Sequence, residues 1–331
     1  MPFDPTTAAL VGLALAFTFL NGYNDSASIV ATMVASGALT PRKALMMAGC
    51  FEFFGPLLFG VAVASTIGRG VVDPAQITRG TLIAALLGAA AWGVTAGRIG
   101  VPTSATHSLV GGLVGAGLAS AGPGAVLWQG LVGVIVALGM APALGVVVGY
   151  AYMKVMLRVG TYMTPHANPV LKRAQLLTSA LVALSHGAND AQKGMGIITA
   201  GLVASGALPR FEVPQWAILS CAAAIALGVA MGGTATLRTL GMRVFTIRPV
   251  HGFAAQAASA AIVIGASLLG GPASTTQVAT SAIFGVGAAE RVTKVRWEVA
   301  EAIVIAWLVT VPVSAVVAAV VYLVGRGLGL A

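Results

Sequence analysis

The chain has 331 residues, 58% of them hydrophobic and only 8% charged, where a soluble protein carries about a quarter charged residues. A water-soluble fold is excluded, and in lipid only helices or a closed barrel can satisfy every backbone polar group. The 18 Lys+Arg against 9 Asp+Glu give a net charge of +9. No clustered basic face accompanies that excess, which argues against nucleic acid as a partner and assigns the charge to loops that orient helices.

The apolar runs are long and continuous rather than alternating, which predicts an all-α integral membrane protein. The first run lacks a basic leader and continues into a polar motif, so it reads as a retained span rather than a cleaved signal. From Ile99 to Met153 the chain has no Asp, Glu, Lys or Arg. At about 20 residues per crossing this stretch holds two spans, with the turn at Ala121 to Gly124. Pro249 to Ala289 divides in the same way at Gly270-Gly271-Pro272. The ten predicted crossings are 8–38, 44–66, 80–97, 103–119, 125–152, 175–207, 214–233, 250–269, 273–288 and 299–324. With residues 40–43 inside and sides alternating, only Arg69, Arg79, Arg210 and Arg326 among the loop cations fall outside. That asymmetry obeys the positive-inside rule and puts both termini outside.

The chain repeats itself. Gly22-Tyr23-Asn24-Asp25 matches Gly187-Ala188-Asn189-Asp190 at an offset of 165, and Val34 to Leu39 recurs as Val203 to Leu208 at 169. Pro102-Thr103-Ser104-Ala105-Thr106 aligns with Pro272-Ala273-Ser274-Thr275-Thr276 at 170, with Gly115 and Gly285 following in register. The reading is a first repeat, 1–153, a basic cytoplasmic linker, 154–173, and a second repeat, 174–331. Five crossings each is an odd number, so the repeats are inverted, with broken or re-entrant helices meeting at the bilayer midplane.

Asn24-Asp25 and Asn189-Asp190 lie mid-way along 8–38 and 175–207, stretches longer as straight helices than a bilayer core of about 30 Å. An unwound or re-entrant break is therefore expected at each motif. A carboxylate at that depth faces a cavity and a partner, and its oxygens suit cation coordination or proton carriage. The two hydroxyl-rich motifs read as starts of short helices that enter part-way. Their N–H groups, partial positive charge and hydroxyls at Ser104, Thr106, Ser274, Thr275 and Thr276 make an anion seat. An anion beside Asp25 and Asp190 needs an intervening cation or proton, which points to symport. Glu52, mid-span, is a further coupling carboxylate. Lys193 follows Asp190 at the three-residue spacing of a helical pair. His107 and His251 are of a type that can titrate near neutral pH, yet each reads as a helix-contact donor, with His107 an accessory candidate, and Glu301 lies too near a loop to carry a role. Cys50 and Cys221 both lie in apolar stretches, so neither a disulfide nor a structural metal is expected. No nucleophile–base pair or metal-ligand cluster stands at a plausible spacing, so the chain does not read as an enzyme.

The segments GYNDSAS, HGANDAQKGMG, PTSATHSLVGG, PASTTQVATSAIFGVG and IRPVHGFAAQ closely resemble the inorganic phosphate transporter family, from about Leu10 to Leu323. The resemblance implies an inverted-repeat fold with a phosphate site between the halves, in the plasma (inner) membrane of a bacterium. It implies uptake of phosphate with Na+ or H+, and in some members as a complex with a divalent metal. No cofactor is implied. Asn24, Asp25, Asn189 and Asp190 would line the ion and phosphate site, and Ser104, Thr106, Ser274, Thr275 and Thr276 would hold phosphate. Glu52 would match a glutamate of the second helix. Gln277 stands where the family motif continues with histidine, Ala273 replaces its valine, and Ala105 stands where a hydroxyl is common. The expectation is a secondary active phosphate symporter working by alternating access, with a sulfate permease on the same scaffold or an anion channel as alternatives. The low charge and small-residue faces permit a homodimer.

Overall fold

Local sequence sets where each helix of the chain starts and stops. The computed structural model describes residues 4–99, 103–161, 167–232 and 244–329. Pro102, the loop cations Arg238 and Arg243, and residues 162–166 of the basic linker lie outside the described residues. The helices are α1 (Pro5–Ala35), α2 (Pro41–Phe59), α3 (Ala62–Arg69), α4 (Arg79–Ile99), α5 (Ala105–Ala121), α6 (Trp128–Gly160), α7 (Ala167–Ala204), α8 (Gln215–Met231), α9 (Pro249–Leu268), α10 (Thr275–Glu290) and α11 (Trp297–Gly327). Asp4 caps α1 by accepting from the Thr6 and Thr7 amides, with Pro5 at the first helical position, where a missing N–H costs nothing. Ser104 and Ser274 cap α5 and α10 by accepting from the amides of His107 and Gln277. Those two helices have 17 and 16 residues, about 24 to 26 Å at 1.5 Å per residue, and so are shorter than a bilayer core of about 30 Å.

Helices α1, α4, α6, α9 and α11 are each long and apolar enough to cross a membrane, and α2 with α3 makes one bent span. The chain is an integral membrane protein. The least buried of these spans are α6 and α11, which leave large side chains such as Val132, Val147, Leu308 and Val316 exposed. The central pillar is α7, in which every residue from Ser185 to Ala200 is buried. Helix α10 is buried throughout from Thr275 to Gly287.

Two expectations change. Helices α1 and α7 run unbroken through Asn24-Asp25 and Asn189-Asp190, because these side chains find partners on neighbouring elements without taking the helix's own backbone bonds. The break falls instead in the second span, expected as one crossing over 44–66. There α2 and α3 meet at 83°, beyond Pro56, at Gly60 with φ of 76°. Gln192 Oε1 accepts from the Ala64 amide at 3.1 Å, so a side chain of α7 satisfies an orphan donor of the broken helix. Among the described residues, the basic stretch 154–173 carries the end of α6 and the start of α7.

Packing across the chain is reciprocal. Helix α1 packs on α8 as α7 packs on α2, and α5 packs on α11 as α10 packs on α6. A Cβ on Gly22 would overlap the Ile225 carbonyl of α8, and one on Gly187 the Glu52 carbonyl of α2. Local structure recurs as well. The Trp128 indole donates to Pro123 O at 3.2 Å across a 3-10 turn, and the Trp297 indole donates to Val292 O at 3.1 Å across another.

Because the α2–α7 contact is backbone on backbone, Gly187→Ala should overpack it by about 1 to 3 kcal/mol. Gly133→Ala, where a Cβ meets nothing, should leave stability unchanged. Thermal unfolding of the detergent-solubilised variants checks the difference; equal midpoints would contradict the close approach.

Candidate functional site

Residues spaced three and four apart share a helix face, so α7 presents His186, Asp190 and Lys193 together. Against that face α1 brings Asp25, α2 brings Glu52 and α10 brings Thr275. His186 Nε2 lies 3.1 Å from Asp190 Oδ2 and 3.4 Å from Asp25 Oδ2, and Nδ1 lies 2.7 Å from Glu52 Oε1. Neither Glu52 oxygen has an aligned hydrogen bond, so that contact is one of charge. Lys193 Nζ lies 2.6 Å from Asp190 Oδ1, and the Thr275 hydroxyl donates to Asp190 Oδ2 at 3.2 Å. All six residues are buried.

The two acidic motifs, distant in sequence, thus share one imidazole nitrogen. The starts of α5 and α10 meet at the same place, where the Thr106 hydroxyl donates to Ala273 O at 3.1 Å. Thr276 has its hydroxyl near the Asp25 carboxylate without an aligned hydrogen bond. Ser104 and Ser274 are committed to capping. Both Asn side chains tie neighbouring elements together. Asn189 Nδ2 donates to Ser267 Oγ at 3.1 Å and to Gly271 O at 3.2 Å, while its Oδ1 accepts from the Ala273 amide at 3.2 Å. It pins the turn that leads into α10. Asn24 Nδ2 donates to Gly93 O at 3.0 Å and ties α1 to α4.

His107 and Gln277 sit apart from the carboxylates, at the polar end of an otherwise apolar cavity of about 620 Å³ between α5, α6, α10 and α11. His107 Nδ1 is 2.8 Å from Ser104 Oγ. His251 lies in a separate group, with its Nε2 3.2 Å from Glu290 Oε2, near Arg248 and Lys294. A cavity of about 20 Å³ opens beside Asp25, lined by Asn21, Asn24, Thr103 and Ser108 among others.

Sequence reasoning missed His186 and Asn21. The spacing of His186, four residues before Asp190 on one helix face, was the available signal. With His186 in place, the ligand atoms of Asp25, His186 and Asp190 lie within 4.8 Å of one another, a three-ligand group that the linear spacing did not show.

Charge decides what the site can accept. When all are ionised, Asp25, Glu52 and Asp190 carry three negative charges against Lys193 and, at most, an imidazolium at His186. One negative charge is left over in a medium where unpaired charge is strongly penalised. An incoming anion is accepted more readily once a proton or cation has neutralised that excess.

Residues 21–318 match the phosphate transporter family. The chain belongs to that family. It is 41% identical over 320 residues to a probable low-affinity inorganic phosphate transporter of Rhizobium meliloti (strain 1021), covering 96% of each chain. It is 38% identical over 322 residues to a protein of the same description from Bacillus subtilis (strain 168), again covering 96% of each. Among solved structures it is similar to one described as the sodium-dependent phosphate transporter, with a TM-score of 0.88 and 28% identity over 98% of this chain and 99% of that one.

In this phosphate transporter family member, Asn189→Ala removes both donor and acceptor from a buried turn. It should destabilise the protein by about 1 to 3 kcal/mol. Asn24→Ala loses one hydrogen bond at a half-buried position and should cost less. Thermal unfolding in detergent orders the two variants, and the reverse order would contradict the assignment of Asn189 as the clamp.

Proposed function

We propose that this chain carries inorganic phosphate together with a monovalent cation, Na+ or H+, as a secondary active symporter. The observation that carries the reading is the meeting of Asp25 and Asp190 at His186 Nε2, beside the joined starts of α5 and α10. Helix N-termini attract an oxyanion through their unpaired N–H groups. Each serine cap covers one first-turn donor, and the others remain directed at the junction. In this arrangement Asp190 itself takes Lys193, His186 and Thr275, donors that also suit a phosphate oxygen. Phosphate competes for them only when a cation or proton relieves the carboxylates, which couples the two solutes.

The family and both relatives carry phosphate in their names, which favours phosphate over sulfate. The sodium dependence named for the structural neighbour and the oxygen ligands beside Asp25 support Na+, while the carboxylate–imidazole cluster supports H+. The scaffold is two inverted repeats, 1–153 and 174–331, that rock about the central site. The reciprocal packing of α1 on α8 and α7 on α2 supports that division. The ion pair of Arg79 with Asp4 at 2.6 Å joins two ends that the charge asymmetry puts on the outer face of the plasma membrane.

Reconstituted into liposomes, the protein should concentrate phosphate when a Na+ or H+ gradient is imposed, and sulfate should compete weakly. Asp25→Asn and Asp190→Asn should each abolish coupled uptake while the protein still inserts. Thr275→Ala should weaken phosphate affinity by about 0.5 to 3 kcal/mol. Uptake that never exceeds equilibrium would identify a channel instead.

A further inference from the structure

The two halves of the site carry different charge. At the 165-residue offset that aligns the Asn-Asp motifs, Asn21 corresponds to His186 and Ser28 to Lys193. Helix contacts add a third pair, since Gly22 abuts the Ile225 carbonyl as Gly187 abuts that of Glu52. Among the described residues, the ionisable neighbours of the aspartates, His186, Lys193 and Glu52, therefore stand on one side. The equivalent positions on the other side hold an amide, a hydroxyl and an alkyl group.

The consequences for the two carboxylates differ. Asp190 has an ammonium 2.6 Å away on a side chain of its own helix. Asp25 does not, because the Ser28 hydroxyl turns back and donates to the Asp25 backbone carbonyl at 2.7 Å. Beside Asp25 lies the cavity of about 20 Å³, room for one water-sized body. Asn21 lines it, is buried, and finds no hydrogen-bond partner for either amide atom among the described residues. A buried amide left without partners is costly and is satisfied by an occupant. Carboxylate, amide carbonyl and hydroxyl oxygens from Asp25, Asn21 and Ser108 or Thr103 are hard ligands for a small cation.

We infer that Lys193 is a tethered cation standing in for one of two ions that an evenly charged site would bind, so that the mobile cation binds beside Asp25 with Asn21 as a ligand. This rests on the ion-coupled phosphate reading and deepens it. The covalent ammonium is never released, so each transport cycle carries one cation fewer than the two aspartates alone would require. Lys193 thereby sets the stoichiometry of coupling rather than the identity of the anion.

Phosphate uptake into proteoliposomes, measured against Na+ concentration at fixed pH, tests the assignment. Lys193→Ser should lose about tenfold or more of its uptake at low Na+, a typical size for coupling between two ligands. It should recover at high Na+ along a curve steeper than wild type by about one ion. Choline should not restore it. Lys193→Arg, which keeps the tethered charge, should hold the wild-type slope. Asn21→Ala in the wild-type background should raise the Na+ concentration for half-maximal uptake several-fold without changing the slope. A Lys193→Ser protein with the wild-type Na+ dependence would overturn the role of Lys193. If that variant does not fold, a Lys193→Gln protein with the wild-type Na+ dependence would overturn it as well. An Asn21→Ala protein with an unmoved Na+ response would overturn the site beside Asp25. Failure of the wild type to accumulate phosphate at all would instead sink the transport reading itself.

Discussion

Three carboxylates gathered around one imidazole, in the interior of a membrane protein, are the constraint to which the rest of the structure answers. Removing one partner of a buried ion pair commonly costs about 3 to 5 kcal/mol, and here the partners are shared. His186 serves Asp25, Glu52 and Asp190 at once, so no helix of the cluster can withdraw without leaving charge uncompensated on another. Helices α1 and α2 must therefore converge with α7 on a single ring, and α10 joins them through the bond from Thr275 to Asp190. Glycine at position 187 makes the approach of α2 feasible, since the Glu52 backbone occupies the space a side chain would fill.

A second polar network holds the frame in which that convergence happens. Gln256 of α9 donates to Thr32 of α1 at 2.9 Å and to Ser179 of α7 at 2.6 Å, and accepts from the Thr178 hydroxyl at 2.7 Å. Gln175 accepts from the Ser36 hydroxyl at 2.8 Å and donates to Pro249 O at 2.8 Å. Buried polar groups satisfied in this way rigidify and specify an arrangement. They fix α1 and α7 side by side, so the IRPVHGFAAQ segment works by bracing through Gln256 rather than by touching the central carboxylates.

Much of this was legible in the sequence. Proline and serine starts, glycine stops and unbroken apolar runs located nearly every helix, and internal repetition singled out the aspartates and the hydroxyl motifs. The misses have physical causes. Long stretches with a polar centre suggested broken helices, but Asn24 and Asn189 spend their amides on other elements and leave the helical ladder of their own backbone intact. The real break at Gly60 depends on Gln192, which is remote in sequence and reveals its role only when α7 lies against α3. His186 was passed over because one histidine in an apolar run carries little signal alone. Its partners Glu52 and Asp25 lie more than a hundred residues away, and only the tertiary fold assembles the set.

The glycine-lined pairs have a mechanical consequence. Where Gly115 of α5 meets the Ala315 carbonyl of α11, and Gly285 of α10 meets the Val146 carbonyl of α6, main chain touches main chain with no rotamer slack between. Close-packed contacts of this kind switch between discrete arrangements instead of deforming smoothly. Each such couple is consequently a stiff beam, and any movement that exposes the aspartates to one bath or the other has to be accommodated at the side-chain seams where one beam slides past the next.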